Sequence, residues 1–418
     1  MKEQLLQFIW QFQYYNKNEL CASNGEALQI IQVGTFNTNQ GPDFLNAKIK
    51  IGETILAGNI EIHNKASEWN SHKHSADDNY KNIILHVVWE EDKNLHLSFA
   101  TLELNEKVSN MLLSKYDALM KAQYFIPCQN HISAINEITL LAWKERLLVE
   151  RLQEKAAYIN LKLEKTNQHW EAVFWEMIAR NFGVKINSDA FESMAASIGI
   201  NILAKQKNQL HQLEALLIGQ SGLLTGSFEE DYPIMLQKEY LFLKQKYSLT
   251  QSSIPVHFLR MRPANFPTIR LAQLAALVNE SNHLFSRIKD ANDIKEVEKM
   301  FDVTANDYWH YHYTFNDVTS FKKKNLGKQM VQNLITNTVI PFLYAYGWYN
   351  NDESYKNKAL KWALALPAEK NNITTGFMDL GIENKSVFDS QALIQLKNKY
   401  CNEKRCLQCA IGNKILKM

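Results

Sequence analysis

At 418 residues, 46% hydrophobic and 22% charged, the chain has the makeup of a folded globular protein, with length for two or three domains. A formal net charge of +2 excludes a global positive field for nucleic acid, so any such surface has to be local. The sequence lacks a run near the roughly 18 apolar residues of a membrane span and a basic-then-apolar leader, so the expected placement is cytoplasmic with no membrane partner.

Residues 1 to about 20 predict a helix, because Leu5, Leu6, Phe8, Ile9, Phe12 and Tyr15 recur at helical spacing. Short strand-like runs follow at 28–33, 47–51, 55–63, 83–89 and 95–104, punctuated by Gly34, Gly41, Gly52 and Gly58. Ile83-Ile-Leu-His-Val-Val-Trp89 is almost wholly apolar, as suits a central strand buried on both faces. Gly41-Pro-Asp-Phe44 puts Asp43 in a turn, and alternation along 59–63 puts Glu61 and His63 on one face. Two carboxylates and an imidazole at a sheet edge suit a divalent cation, Mg2+ or Mn2+, that polarises a water. The plainer reading of Asp43 is turn chemistry. It is weaker for Glu61, since a carboxylate in an apolar strand is costly unless paired, exposed or coordinated.

Downstream lie Trp69, His72, His74, Asp77 and, inside the apolar strand, His86. A His-x-His pair in extended conformation points both rings one way and can supply two metal ligands. In the competing reading His72 and His74 sit in a polar loop. His86 fits a core histidine that supports a ligand from behind.

After about Ser133 the pattern is helical. Leu141, Leu148, Leu152, Ala156, Ile159 and Leu163 outline one long amphipathic helix, and the next is expected to close at a left-handed Gly183. Arg260, Arg262 and Arg270 gather around a proline-kinked loop entering a helix, which suits phosphate recognition; pairing within the core is the competing reading. The aromatic run 308–313 offers faces for base stacking, or packs as core.

Five cysteines, an odd number, argue for reduced thiols. Three stand at the C-terminus as Cys401-x4-Cys406-x2-Cys409, and Cys-x2-Cys is strong metal-ligand spacing. A fourth ligand is expected from Cys128, with His131 and then Cys21 as further candidates, giving an iron–sulfur cluster or a Zn2+ site.

The organisation read from these runs is α+β: a small mixed-sheet domain at 1–125, and a larger all-helical domain at 126–418 whose tail, 390–418, packs back on the first. Gly-Pro-Asp-Phe, an intervening strand and Glu-Ile-His together resemble the PD-(D/E)XK nuclease core, which implies a restriction-endonuclease-like fold for the sheet domain. It also implies Asp43 and Glu61 as metal ligands and a nucleic-acid substrate, with His63 standing where that pattern has lysine. The tail resembles the iron–sulfur segment of certain helix-hairpin-helix DNA glycosylases, with Ala410 in place of a proline. Over its length the chain resembles the domain-of-unknown-function 2851 family, through Gly41-Pro-Asp-Phe44, Glu61-Ile-His63, Trp69 with His72 and His74, Leu85-His-Val-Val88, Arg260-Met-Arg-Pro263, Asn265-Phe-Pro267 and the terminal cysteines. The functional expectation is a metal-dependent nucleic-acid phosphodiesterase. The alternatives are a non-catalytic binding scaffold and a zinc hydrolase built on His63, His72 and His74.

Overall fold

The computed structural model describes residues 1–72 and 74–418. These divide into two compact units, one formed by Met1–Trp143 with Leu396–Met418 and the other by Lys144–Gln395. Among the described residues no helix is long and apolar enough to cross a membrane.

The first unit opens with α1 (Glu3–Gln11), which buries Leu5, Leu6, Phe8, Ile9 and Trp10. It ends earlier than the apolar spacing suggests, because Gln13 takes a left-handed φ of 53° that breaks the helical path. The strands are β1 (Leu28–Gln32), β2 (Thr35–Phe36), β3 (Phe44–Ile51), β4 (Thr54–Lys65), β5 (Ile83–Glu90) and β6 (Ala100–Glu103). They form one mixed sheet in the order β1-β3-β4-β5-β6, with β2 paired to β3. The β1–β3–β4 half is antiparallel and the β4–β5–β6 half parallel. The run expected to be strand at 95–104 is strand only from Ala100, since the Asn94 side chain caps the His96 amide and His96 has a φ of 48°.

Two local features set the register around Glu61. A bulge falls between Phe44 and Ala47 in β3, where Asn46 adopts a φ of 57° and its amide donates to Asn59 Oδ1. At Gly58 in β4, a Cβ would fall 2.5 Å from Ile84 Cγ2 and 2.6 Å from the Asn82 carbonyl oxygen, so only glycine permits this close β4–β5 approach. Glu61 then lies beside His86 in the parallel register, and the two share a face with His63. Short helix α2 (Glu68–Ser71) and two 3-10 turns, His74–Ala76 and Asp78–Tyr80, cross over to β5.

Helix α3 (Asn110–Lys121) follows the sheet, and the C-terminal segment packs within this unit. Tyr14 donates to Asn413 at 2.8 Å, and the Tyr400 ring meets Trp143 edge-on at 5.2 Å.

The second unit is helical. The long amphipathic pattern is realised in α4 (Glu137–Lys165), which buries Leu148, Leu152, Ala156, Ile159 and Leu163 while Leu141 is exposed. In the next helix, Trp170–Phe182, the left-handed residue is Val184 (φ 48°), not Gly183. Gly183 serves close packing instead, since a Cβ there would lie 2.3 Å from the Asn187 carbonyl oxygen. Gly219 likewise lets helix Leu210–Gln220 press against the Tyr240 ring. Fully buried Glu214 accepts hydrogen bonds from the Tyr232 hydroxyl and the Trp309 indole.

Candidate metal centre

The turn before β3 fixes Asp43. Asn37 Nδ2 donates to the Pro42 carbonyl at 2.9 Å, and Gly41 supplies a φ of 106° that a side chain would resist. The Asp43 carboxylate then accepts from the Ile62 amide at 3.1 Å and from Gln7 of α1 at 2.8 Å. In return the Asp43 amide donates to Glu61 Oε2 at 3.1 Å. These bonds leave Glu61 Oε1 free to face the histidines, 3.3 Å from His74 Nε2 and 3.6 Å from His63 Nε2.

Four imidazoles meet on this face. His63 Nδ1 lies 2.9 Å from His86 Nε2, and His63 Nε2 lies 3.2 Å from His72 Nδ1. Among the described residues, His63, His72 and His74 form the one group of three or more potential ligands whose donor atoms all lie within 4.8 Å of one another. Zn–N bonds of about 2.0–2.1 Å place tetrahedral nitrogens about 3.4 Å apart, close to the His63–His72 spacing. Trp69 is 2% exposed and stands edge-on to His63, His74 and His86, while its indole N–H is bound to Ser75. Tyr80 stacks on His74 at 3.9 Å. His72 is exposed and marks the side on which the cluster meets solvent.

No lysine or arginine is paired with either acid among the described contacts, and the electrostatics follow. Burial and then the neighbouring Asp43 charge push Glu61 up to about 9, against the opposing Asp43 amide. Burial and then Glu3 push Asp43 up to about 7, partly offset by the Ile62 amide and Gln7. Burial and then the other imidazoles hold His63 down at about 2 and His86 at about 4, and His74 is lowered by burial and His72. The buried nitrogens His74 Nε2 and His86 Nδ1 have no hydrogen-bond partner, His74 Nε2 facing Glu61 Oε1 without a hydrogen bond's geometry. Neutral imidazoles with free lone pairs around an unneutralised carboxylate are a donor set for a divalent cation.

A family model described as Protein of unknown function (DUF2851) matches residues 3–372. The chain belongs to this family. In this DUF2851 chain the matched span takes in Gln7, Asp43, Glu61 and every histidine of the cluster, and stops before the three terminal cysteines. No curated protein and no solved structure matches the chain.

The residues singled out from sequence fall into distinct places. Asp43, Glu61, His63, His72, His74 and His86 come together, whereas Asp77 caps the 78–80 turn through the Asn79 amide, its charge only opposing the lowering of His74 by burial and His72. Cys128, Cys401, Cys406 and Cys409 are buried, while Cys21 and His131 are exposed. In the helical unit Arg260 and Arg262 are exposed, but Arg270 is 7% exposed and donates to Gln273 and Asn265, so it serves the core reading. Trp309, fully buried, is likewise core, and the half-buried Tyr308 stacks on His312 at 4.0 Å. Gln7, Trp69 and Tyr80 complete this candidate centre, and sequence alone assigns them no role in it. Glu3 and Gln7, four apart on α1 and hydrogen-bonded to one another at 3.3 Å, carry the one local signal, a polar pair on one side of that helix.

Proposed function

We propose that the sheet unit is a metal-dependent hydrolase whose cation is held by His63, His72, His74 and the Glu61 carboxylate. The observation that supports it is the convergence of three imidazole donors within 4.8 Å, with Glu61 Oε1 3.3 and 3.6 Å from two of them. Such a set favours Zn2+ or Mn2+ over Mg2+, which prefers an octahedral shell of oxygens. The bound ion would supply a Lewis acid and a water acidic enough to yield hydroxide near neutrality. The protein's part is positional: Asp43 locks Glu61, His86 backs His63, and Trp69 walls the site. The substrate class suggested by the ordered Asp43, Glu61 and His63 is a phosphodiester, with nucleic acid as the narrower form of the proposal.

A second reading rests on burial. Glu61 is 5% and His63 1% exposed, which also suits a metal that staples a binding scaffold without turnover. One experiment separates the two: titrate chelator-treated protein with Zn2+, Mn2+ and Mg2+, then assay bis(p-nitrophenyl) phosphate, single- and double-stranded DNA, and RNA. Binding of Zn2+ or Mn2+ lost in His72→Ala, with hydrolysis lost alongside, supports the hydrolase. Binding without turnover of any of these substrates leaves the scaffold, and no binding overturns the site itself.

A further inference from the structure

A second set of donors lies in the same unit, and three of its four members stand beyond the span of the family match. Cys128 sits in the segment between α3 and α4, and Cys401 ends a π-helical turn, Leu396–Cys401. Cys406 opens a 3-10 turn, and Cys409 caps the C-terminal helix Ala410–Lys417. All four are 6–8% exposed and none is in a disulfide. Every pair among them is close enough to interact electrostatically. Isolated buried cysteines behave as small hydrophobes. Convergence of four thiols from two distant stretches of chain is instead the pattern of a thiolate-bound metal.

The Cys409 sulfur is met by hydrogen-bond donors, the Gly412 and Ile411 amides and the Trp143 indole N–H. Hydrogen bonds to sulfur of this kind stabilise and tune cluster ligands. Gly412 is required where it stands, since a Cβ would fall 2.2 Å from the Cys406 carbonyl oxygen. That contact brings the first turn of the C-terminal helix onto the Cys406 turn.

Spacing separates the two metals that suit four cysteines. A tetrahedral zinc with Zn–S of about 2.3 Å draws its sulfurs to about 3.8 Å from one another. Among the described residues no three of these sulfurs close to within 4.8 Å, as the histidine donors do. The wider array fits a polynuclear centre in which the thiolates bind different irons. We propose that Cys128, Cys401, Cys406 and Cys409 hold an iron–sulfur cluster that fastens the C-terminal segment to the sheet unit. It is independent of the histidine site and of any reaction there.

The test is metal and sulfide analysis of full-length protein purified anaerobically, with its visible spectrum. The expected result is iron and acid-labile sulfide in equal amounts with a charge-transfer band. Both are retained in Cys21→Ser and in His72→Ala, and lost in Cys406→Ser. Retention in His72→Ala separates this centre from the proposed hydrolase site. Zinc without sulfide, or metal-free wild-type protein with all 5 thiols open to a thiol reagent after unfolding, would overturn it. The wild-type analysis decides even if Cys406→Ser does not fold.

Discussion

Asp43 and Glu61 hold one another through the backbone: the Asp43 amide donates to Glu61 Oε2 at 3.1 Å, and the Ile62 amide donates to Asp43 Oδ2 at 3.1 Å. Each acid therefore has one oxygen fixed by the backbone at or beside the other. Because Asp43 also accepts from Gln7, the oxygen left facing the imidazoles belongs to Glu61. In the proposed site Asp43 would act on an ion through Glu61.

Replacing Asp43 thus tests positioning. Asp43→Asn keeps an acceptor for the Ile62 amide, whereas Asp43→Ala leaves it unmet. Losses of this kind typically lower metal affinity by about 10–100-fold, so Asp43→Ala should fall in that range and Asp43→Asn near its lower end. Glu61→Gln should lose more, since it removes the carboxylate charge whose oxygen lies 3.3 and 3.6 Å from His74 and His63. Competition titration against a chromogenic zinc chelator measures all three. Equal affinities for wild type and Asp43→Ala would remove Asp43 from the site.

The perturbed acids make metal binding pH-dependent in a definite direction. Glu61 at about 9 and Asp43 at about 7 bind protons more tightly folded than unfolded. Their contribution to stability is present below the ordinary carboxyl range and is lost as pH rises through 7 and 9. His63 and His86, held at about 2 and 4, work the other way: their contribution is present above 6.5 and lost as pH falls below it. A cation bound at Glu61 displaces its proton, so affinity should rise by up to about tenfold per pH unit near neutrality. Calorimetry in two buffers of different ionisation enthalpy should show proton release on Zn2+ binding. Affinity that is flat across neutral pH would mean Glu61 is not a ligand.

Much of this centre is legible in the chain. Alternation puts Glu61 and His63 on one face, the apolar run around His86 marks the strand beside them, and His72-x-His74 suggests a ligand pair. Strand pairing is less legible: the β4–β5 neighbourhood depends on contacts at Gly58 that no local pattern encodes. Gln7 acts from a helix far from Asp43 in sequence, and an apolar spacing rule sees only the opposite face of that helix. Arg270 looks like a phosphate ligand because guanidinium groups near a helix start often are, yet Gln273 and Asn265, three and five residues away, take its two terminal nitrogens inside the core.

Gly58→Ala probes the link between sheet packing and site. The new methyl would meet Ile84 Cγ2 at 2.5 Å and the Asn82 carbonyl oxygen at 2.6 Å, and that carbonyl is already bound to the Asn59 amide at 2.8 Å. Strand β4 has to shift, carrying Glu61 and His63 with it. Overpacking of this kind costs about 1–3 kcal/mol, to be read from urea unfolding of the metal-free protein. The same variant should bind Zn2+ more weakly than wild type, while Gly25→Ala, at a turn with no atom within 4 Å, should lower stability through its φ of 87° and leave affinity unchanged.

The His63–His86 contact makes the last prediction. For His63 Nε2 to offer its lone pair to an ion, the proton must sit on Nδ1, and the group that accepts it is His86 Nε2, 2.9 Å away. His86 is fully buried on β5 and lowered by burial to about 4, so it remains a neutral acceptor across the neutral range. His86→Leu keeps bulk in the strand but leaves the His63 Nδ1–H without an acceptor, freeing the ring to take the other tautomer or turn away. Zn2+ affinity should then fall by about 10–100-fold with all four proposed ligands still present. His86→Gln, which offers a carbonyl oxygen in place of the ring nitrogen, should recover part of the loss. Loss without recovery, accompanied by a lower unfolding midpoint in both variants, would assign His86 to packing alone.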